Sequence, residues 1–472
     1  MKLIQALRLG LCPRLALVGS GGKTTALFHI GRELLENNSG ITSLPSPVLL
    51  AATTHMSVEQ LEMADQHFVL ESAIDIAKLK IDHFQGLVLL TGPLLDDKRA
   101  AGLAMPIMNG LVSLADEYQF PFLVEADGSR QKPLKAPSEN EPVIPGWVDS
   151  VVVVSGISGV GKVLSSRWVH RPERFSMLAS VNLGDRITPE AVGRVLCNPL
   201  GGLKNIPGET RRIVLLNQAE SAVRQATAYR LVDYLLPEFH AVVIAALHPP
   251  GKPCLRRREM EERSSGSPFL DRKCVYAVHE RVAGIILAAG ASSRMGHSKQ
   301  VMLWRGEPLV RQVVQTALSA GLSPVVVVTG SDADMVKSAV QDQNLTIAHN
   351  ANWEEGQSAS INTGLNALPP ETGAAIFLLA DQPQIPVELV KKLREVHANT
   401  LAPIVAPRVQ DRRANPVLFD RQVFPDLSIL TGDIGGRALF SRYDVTWLPW
   451  HDEAIILDID TLDDYHQLLN YQ

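Results

Sequence analysis

The sequence predicts an α/β fold in two domains, each built on a mostly parallel sheet. Three observations carry this. Short apolar runs alternate with amphipathic stretches through both halves of the chain, the pattern of βαβ units. The alternation breaks once, from Pro249 to Arg281, where Arg, Glu, Ser, Gly and Pro crowd together. Each half also opens with an apolar run that enters a loop of small residues: Gly19-Ser-Gly-Gly-Lys-Thr-Thr25 in the first, Leu287-Ala-Ala-Gly-Ala-Ser-Ser-Arg-Met-Gly-His-Ser-Lys299 in the second. The expected organisation is a domain at 1–250, a linker at 251–281 and a domain at 282–472. The linker's mixed charge and its Ser, Gly and Pro cannot bury much apolar surface. The halves show no sequence repeat, so they read as independent domains.

In order along the first half, strands are expected at Leu15–Val18, Val48–Ala52, Leu87–Leu90, Phe122–Val124, Val151–Val154, Ile213–Leu216 and Val242–Ala246. Helical spacing lies between several of them, as at Thr25–Leu35 and Ala222–Leu236. In the second half strands are expected at Ile285–Ala288, Val325–Val328, Thr346–Ala348, Ile376–Leu379, Ile404–Ala406, Val417–Phe419 and Ile455–Leu457. Helices are expected at Leu309–Ala320, Met335–Val340, Ser360–Leu368, Val387–Val396 and Leu462–Leu469.

The 472 residues carry a formal net charge of −5. A nucleic-acid binder would show a basic excess, so no nucleic-acid partner is expected. A nucleotide enzyme is not excluded, because its cations are few and local. The four cysteines form no C-x-x-C pair, which argues against a zinc ribbon or a redox dithiol. No apolar run reaches the ~18 residues that would span a bilayer, and the first residues lack the pattern of a secretory signal. A cytoplasmic chain with no membrane partner is the expectation.

The first loop follows a strand and opens a helix, so free backbone N–H groups and the helix dipole face any anion placed there. The usual G-x-x-x-x-G-K-[ST] pattern would need glycine at Leu17; a shorter version survives. Gly19, Gly21, Gly22, Lys23, Thr24 and Thr25 form the expected phosphate loop of a P-loop NTPase-like domain. Lys23 would neutralise terminal phosphates and the Thr24 hydroxyl would ligate Mg²⁺. The strand Phe122–Val124 ends in Glu125 and Asp127, which alternation puts on one face; an acid so placed helps hold the metal. Lys132, Lys135 and His170 are further candidate anion contacts. After the strand Ile213–Leu216 comes Asn217-Gln-Ala-Glu220, where a guanine-reading N-K-x-D would have lysine and aspartate. Guanine specificity is therefore not assigned, and the nucleotide of this domain is left as an unidentified NTP.

In the second loop, small residues allow a triphosphate to approach the backbone closely. Arg294 and Lys299 add positive charge where attack at an α-phosphorus would expel pyrophosphate. Asp381 ends the apolar strand Ile376–Leu379, at the edge where open α/β sheets bind ligands, and is the expected Mg²⁺ ligand. Asp458 and Asp460, in Leu457-Asp-Ile-Asp-Thr461, supply a second acidic cluster. One would complete the metal site and the other would cap the helix that begins near Leu462.

Together these motifs make residues 282–470 resemble the nucleotidyltransferases of the molybdenum-cofactor family, and Leu287-Ala-Ala-Gly290 is closer to its cytidylyltransferases than to its guanylyltransferases. The resemblance implies a Rossmann-like nucleotidyltransferase sheet that moves a cytidylyl group from CTP to molybdopterin-bound molybdenum, with Mg²⁺ or Mn²⁺. It implies nucleotide contacts from Leu287, Ala288, Ala289, Gly290, Ser292, Gly296, Thr329, Ser358 and Ser360. It makes Arg294, Lys299 and Asp381 catalytic, with Asp381, Asp458 and Asp460 around the metal. The stretches Arg412-Arg-Ala-Asn-Pro-Val-Leu-Phe419 and Leu430-Thr-Gly-Asp-Ile-Gly-Gly-Arg437 resemble the pterin side, which places Asn415, Asp433 and Arg437 on the molybdopterin-type substrate; Ala414 stands where the family has glycine.

About residues 1–250, through Val124–Pro145, Ala52-Thr-Thr-His55 and Val169-His-Arg-Pro-Glu173, resemble a family accessory to selenium-dependent molybdenum hydroxylases. That implies an apo molybdenum hydroxylase as partner. Two alternatives stay open: the same chemistry with GTP or with a sugar or alditol phosphate as acceptor, and a non-enzymatic chaperone that delivers the finished cofactor.

Overall fold

The computed structural model describes residues 1–38, 46–248, 274–291 and 298–470. The chain divides into two compact α/β units, Met1–His279 and Glu280–Gln472.

The first unit is built on strands β1 (Arg14–Gly19), β2 (Val48–Ala52), β3 (Gln66–Val69), β4 (Leu87–Thr91), β5 (Phe122–Glu125), β6 (Ser150–Gly156), β7 (Arg211–Asn217), β8 (Ala241–Ala245) and β9 (Val275–Glu280). They form one sheet in the order β9-β8-β7-β6-β1-β5-β2-β4-β3. The pairs from β8 to β3 are parallel. Central strands such as Val48–Ala52 and Leu87–Thr91 are buried at every position. This is why they read as unbroken apolar runs: helices cover both faces of a parallel sheet. The main helices are α1 (Lys23–Asn38), α2 (Met105–Glu117), α3 (Pro172–Ala179), α4 (Pro189–Leu196) and α5 (Ala222–Leu235). Beyond β2 the chain makes a small antiparallel sheet from Met56–Ser57, Leu94–Asp96 and Arg99–Ala100, with the short helix Val58–Leu61 attached.

The second unit comprises β10 (Val282–Ala288), α6 (Leu309–Ser319), β11 (Val325–Thr329), α7 (Ala333–Val340), β12 (Thr346–His349), α8 (Gln357–Asn366), β13 (Ala374–Leu379), α9 (Val387–Thr400), β14 (Ile404–Val409), β15 (Val417–Asp420), β16 (Val445–Trp450) and α10 (Leu462–Leu469). The sheet runs β12-β11-β10-β13-β15-β14, with β16 and the two-residue strand Arg412–Arg413 both paired to β14. β12, β11, β10 and β13 are parallel; β15 runs against its neighbours. The C-terminal ends of β10, β11 and β13 therefore share one edge, with Ala288 beside Thr329 and Leu287 beside Leu379.

Two expectations are corrected. Residues 275–280, assigned to the linker, form β9 at the edge of the first sheet; their Val-Tyr-Ala-Val alternation was outweighed by the arginine-rich composition just upstream. Ile455–Leu457 is no strand: Glu453–Ile456 is a 3₁₀ turn whose entry is capped by Asp452, with Oδ1 accepting the Ala454 N–H at 2.9 Å. The strand of that region is β16, whose Trp and Pro residues hide its pattern. Asp458 and Asp460 are thus carried on irregular chain rather than on a sheet strand.

Candidate active site and a second candidate site

In the second unit the loops at the shared edge enclose a cavity of about 660 Å³. Leu287, Ala289, Gly290, Lys299, Ser360, Asp381, Asp433, Asp458 and Asp460 all line it. The Lys299 ammonium lies between two carboxylates, 2.5 Å from Asp381 Oδ2 and 3.0 Å from Asp460 Oδ1. Burial works to strip that proton, but Asp381 and Asp460 outweigh it and hold the lysine pKa above its ordinary value. Asp458 accepts a hydrogen bond from Gln382 Nε2 at 2.5 Å. Loss of water around its carboxyl, with the charges of Asp381 and Asp460 nearby, raises its pKa. The start of the glycine loop is braced by Gln300, whose Nε2 donates to Gly290 O at 2.8 Å.

A second cavity of about 370 Å³ adjoins the first. The two share Leu287, Gln357, Leu379, Asp433 and Asp458. Asn415, Asp433 and Arg437, the three expected substrate contacts, line it together with Arg413, Phe377, Phe419 and Phe440. The rings pack edge to face, and the Arg413 guanidinium sits 5.8 Å over Phe440. One cavity is thus acidic with a half-buried lysine, and its neighbour sets two arginines beside Asp433 and Asp458 between aromatic walls. Ala414, in place of the family's glycine, lines the second cavity.

Not every expected nucleotide contact reaches the cavity. Ala288 is buried in the core beneath it. Thr329 is 1% exposed, with its hydroxyl 3.4 Å from His349 Nδ1. Ser358 turns to the other side of α8 and donates to Gly432 O at 2.6 Å. Ser292, Arg294 and Gly296 lie outside the described residues. Among the described residues, no three acidic, histidine or cysteine side chains converge on a single cation position. Asp381, Asp458 and Asp460 share a cavity, but Lys299 stands between two of them. Gln300, Gln382, Phe377 and Phe440 went unassigned from the sequence; neutral amides and core aromatics carry no motif of their own.

In the first unit, Lys23 is 3% exposed and folds back onto its own loop. Its Nζ donates to Gly19 O at 2.9 Å and lies 3.2 Å from Asp127 and 3.5 Å from Glu125. Burial alone would lower its pKa; Asp127 and Glu125 reverse the sign and raise it. Asp127 also accepts the Gly19 N–H at 3.0 Å and is paired with Lys135 at 2.7 Å. Lys135 continues to Glu141 at 3.0 Å, and Glu141 to Arg171 at 2.8 Å. Burial would raise the Glu141 pKa, but Arg171 and Lys135 hold it down at about 2. Lys135 therefore belongs to a ladder of alternating charge that is buried at its Asp127 end and half-buried at Glu141 and Arg171, and His170, with its pKa lowered to about 4 by burial and by Arg171, Lys135 and Arg130, is neutral near pH 7.

Thr24 Oγ1 donates to Glu125 at 2.7 Å. Asn217 has both ends of its amide engaged, donating to Gly21 O and accepting from Leu247 N–H, so it braces the loop from two strands away. Gly22, at φ +122°, has the Asn217 amide where a Cβ would stand. Thr25 occupies the first turn of α1 beside these groups.

The fold and these two edges define a two-part α/β protein whose second unit has the architecture of a nucleotidyltransferase. The chain belongs to two families joined in one polypeptide: residues 284–446 match the MobA-like NTP transferase domain, a nucleotidyltransferase family, and residues 15–173 match the YqeC protein family, accessory to selenium-dependent hydroxylases. It is 30% identical to nicotine blue oxidoreductase of Paenarthrobacter nicotinovorans over 40% of this chain and 96% of that one. It is 30% identical to the YqeC protein of Escherichia coli over 45% of this chain and 79% of that one. The molybdenum cofactor cytidylyltransferase of Escherichia coli is 25% identical over 38% of this chain and 92% of its own. Among the described residues no helix is long and apolar enough to cross a membrane.

Proposed function

We propose that the second unit transfers a cytidylyl group from CTP to molybdopterin-bound molybdenum, giving molybdopterin cytosine dinucleotide and pyrophosphate. The observation that carries this reading is the pair of adjoining cavities that share Asp433 and Asp458. The acidic, lysine-bearing cavity suits a metal-bound triphosphate; the cavity with Arg413, Arg437 and three phenylalanines suits a planar acceptor that carries a phosphate. The similarity to a molybdenum cofactor cytidylyltransferase supports the choice of acceptor.

In this reaction an oxygen of the acceptor's phosphate attacks the α-phosphorus, the α–β bridging bond breaks, and pyrophosphate departs with the electron pair. The attacking group is already ionised, so positioning and electrostatics supply the catalysis. Lys299, and Arg294 beyond the described residues, would neutralise the phosphates. Hard carboxylate oxygens suit Mg²⁺ or Mn²⁺, and Mg²⁺ takes one or two protein carboxylates with the rest from phosphate and water. Asp381, with Asp458 or Asp460, fits that donor set without a ready-made three-acid cage. Such an ion would stabilise charge on the reacting phosphates. Lys299 would then give up Asp381 to the cation and turn to the phosphates.

In the same reading, the Gly19–Thr25 loop of the first unit binds a nucleoside triphosphate in support of maturing an apo molybdenum hydroxylase. The test is pyrophosphate release from CTP, GTP and ATP, each with molybdopterin-bound molybdenum or with sugar and alditol phosphates. CTP with the molybdenum compound is expected to give the highest rate, and Asp381→Ala to abolish it with the fold intact. Retained turnover in that variant would sink the metal assignment; release with only a sugar or alditol phosphate would replace the acceptor. Co-purification of a molybdenum hydroxylase, weakened by Lys23→Ala, checks the partner.

A further inference from the structure

We propose that the first unit hydrolyses its nucleoside triphosphate, with Gln60 as the residue that positions the attacking water. The inference rests on the reading of Gly19–Thr25 as a triphosphate loop. Gln60 ends up beside that loop although it is 36 residues from Thr24 in sequence. Its Nε2 donates to Thr24 Oγ1 at 3.0 Å. Its Oε1 accepts the Ser57 N–H at 2.9 Å, which fixes the direction of the amide. Thr24 in turn donates to Glu125 at 2.7 Å. The Ser57–Gln60 capping box of the short helix Val58–Leu61 needs only the oxygen end of the amide. The nitrogen end is left over from capping, and it is aimed at the hydroxyl that would stand next to the terminal phosphate.

A glutamine amide has two N–H donors and two acceptor lone pairs; these two bonds use one of each. The remaining N–H and lone pair can hold a water by its oxygen and by one of its protons at the same time. The group is uncharged, so it does this without repelling a phosphate. Asn217 has its amide nitrogen and oxygen both tied into the loop's support, and Gln218 Oε1 is taken by the Ser158 hydroxyl at 2.5 Å. Glu125, Asp127, Lys23 and Lys135 are locked in their charge ladder. Gln60 is the neutral amide that faces the Thr24 hydroxyl.

In the step, the water oxygen bonds to the γ-phosphorus and the β–γ bridging P–O bond breaks. The nucleoside diphosphate leaves with that electron pair, inorganic phosphate forms, and the water's proton goes to solvent. A neutral side chain that orients water is a known means of hydrolysis in triphosphate-binding loops.

The test uses the full chain without any acceptor, with Mg²⁺ and either ATP or GTP, and measures inorganic phosphate release alongside binding of fluorescent analogues of each nucleotide. Gln60→Glu keeps an oxygen for the Ser57 N–H and loses the N–H donors; Gln60→Met keeps the length and loses both. Both are expected to lower kcat about 10-fold or more, with Met leaving the nucleotide Kd within about twofold and Glu, which keeps the cap oxygen, leaving the melting temperature close to that of the wild type. Lys23→Ala is expected to lose binding at this site. Turnover in both Gln60 variants equal to that of the wild type would overturn the proposal, and so would a wild type that binds nucleotide at the Lys23-dependent site and releases no phosphate. A wild type with no Lys23-dependent binding of either nucleotide would instead overturn the loop reading, and the proposal with it.

Discussion

Lys135 is 8% exposed and holds Asp127 on one side and Glu141 on the other. Removing one member of such a ladder leaves an uncompensated buried charge. Lys135→Met is therefore expected to destabilise the first unit by about 3–5 kcal/mol, read as a drop in the denaturant midpoint. His170 sets a pH dependence. Its folded pKa, about 4, lies below the ordinary 6.5, so between those values the unfolded chain binds the proton that the folded chain refuses. Stability is fully present above pH 6.5 and falls as pH drops toward 4; His170→Gln should flatten the profile in that window, and unfolding curves from pH 7 to 4.5 check it. An unchanged slope would remove His170 as the cause. Asp127, Asp381 and Lys23 were legible in the sequence because each follows an apolar strand or a glycine loop. Glu141, Arg171, Gln60 and Gln382 were not: their roles arise from partners that only the folded chain brings within 3 Å or so of them.

Helix α8 shows what an element contributes to the site. It opens at Gly356, with φ +107° and ψ −174°, a conformation essentially confined to glycine. A Cβ there would run into the backbone of Gly432 and Asp433. The same loop is held to α8 by Ser358 Oγ on Gly432 O and by the Gln357 N–H on Asp433. One joint thus fixes a wall of both cavities. Gly356→Ala should cost about 1–3 kcal/mol in backbone strain and move the loop, lowering pyrophosphate release more than it lowers the melting temperature. Activity equal to the wild type would show that the joint has slack. The central strands were legible because burial on both faces leaves a continuous apolar run. Ser358 was misplaced because a helical residue's side depends on where the helix starts; α8 begins at Gln357 rather than Ser360, which turns Ser358 to the far face.

For the whole molecule, the question is where the first folding unit ends. Composition puts the boundary at 250, whereas β9 places residues 275–280 in the first sheet beside β8. Val275, Ala277 and Val278 are at most 1% exposed, Ala246 N–H donates to Cys274 O at 2.8 Å, and His279 meets the edge of Tyr229 on α5 at 5.4 Å. Full burial of a valine is worth about 1.5–3 kcal/mol. A chain cut at 250 would lose two buried valines and uncover the backbone edge of β8, which invites association between copies. A fragment ending at residue 280 is expected to unfold at a clearly higher denaturant midpoint than one ending at 250, and to stay monomeric where the shorter one associates. Equal midpoints would return 275–280 to the role of connector. The expected result would instead leave Arg281 as the sole residue between a strand of the first sheet and β10, the strand that carries the transferase loop. The charged segment upstream of β9 would then be an insertion within the first unit, between β8 and its edge partner, and not the joint between the two units.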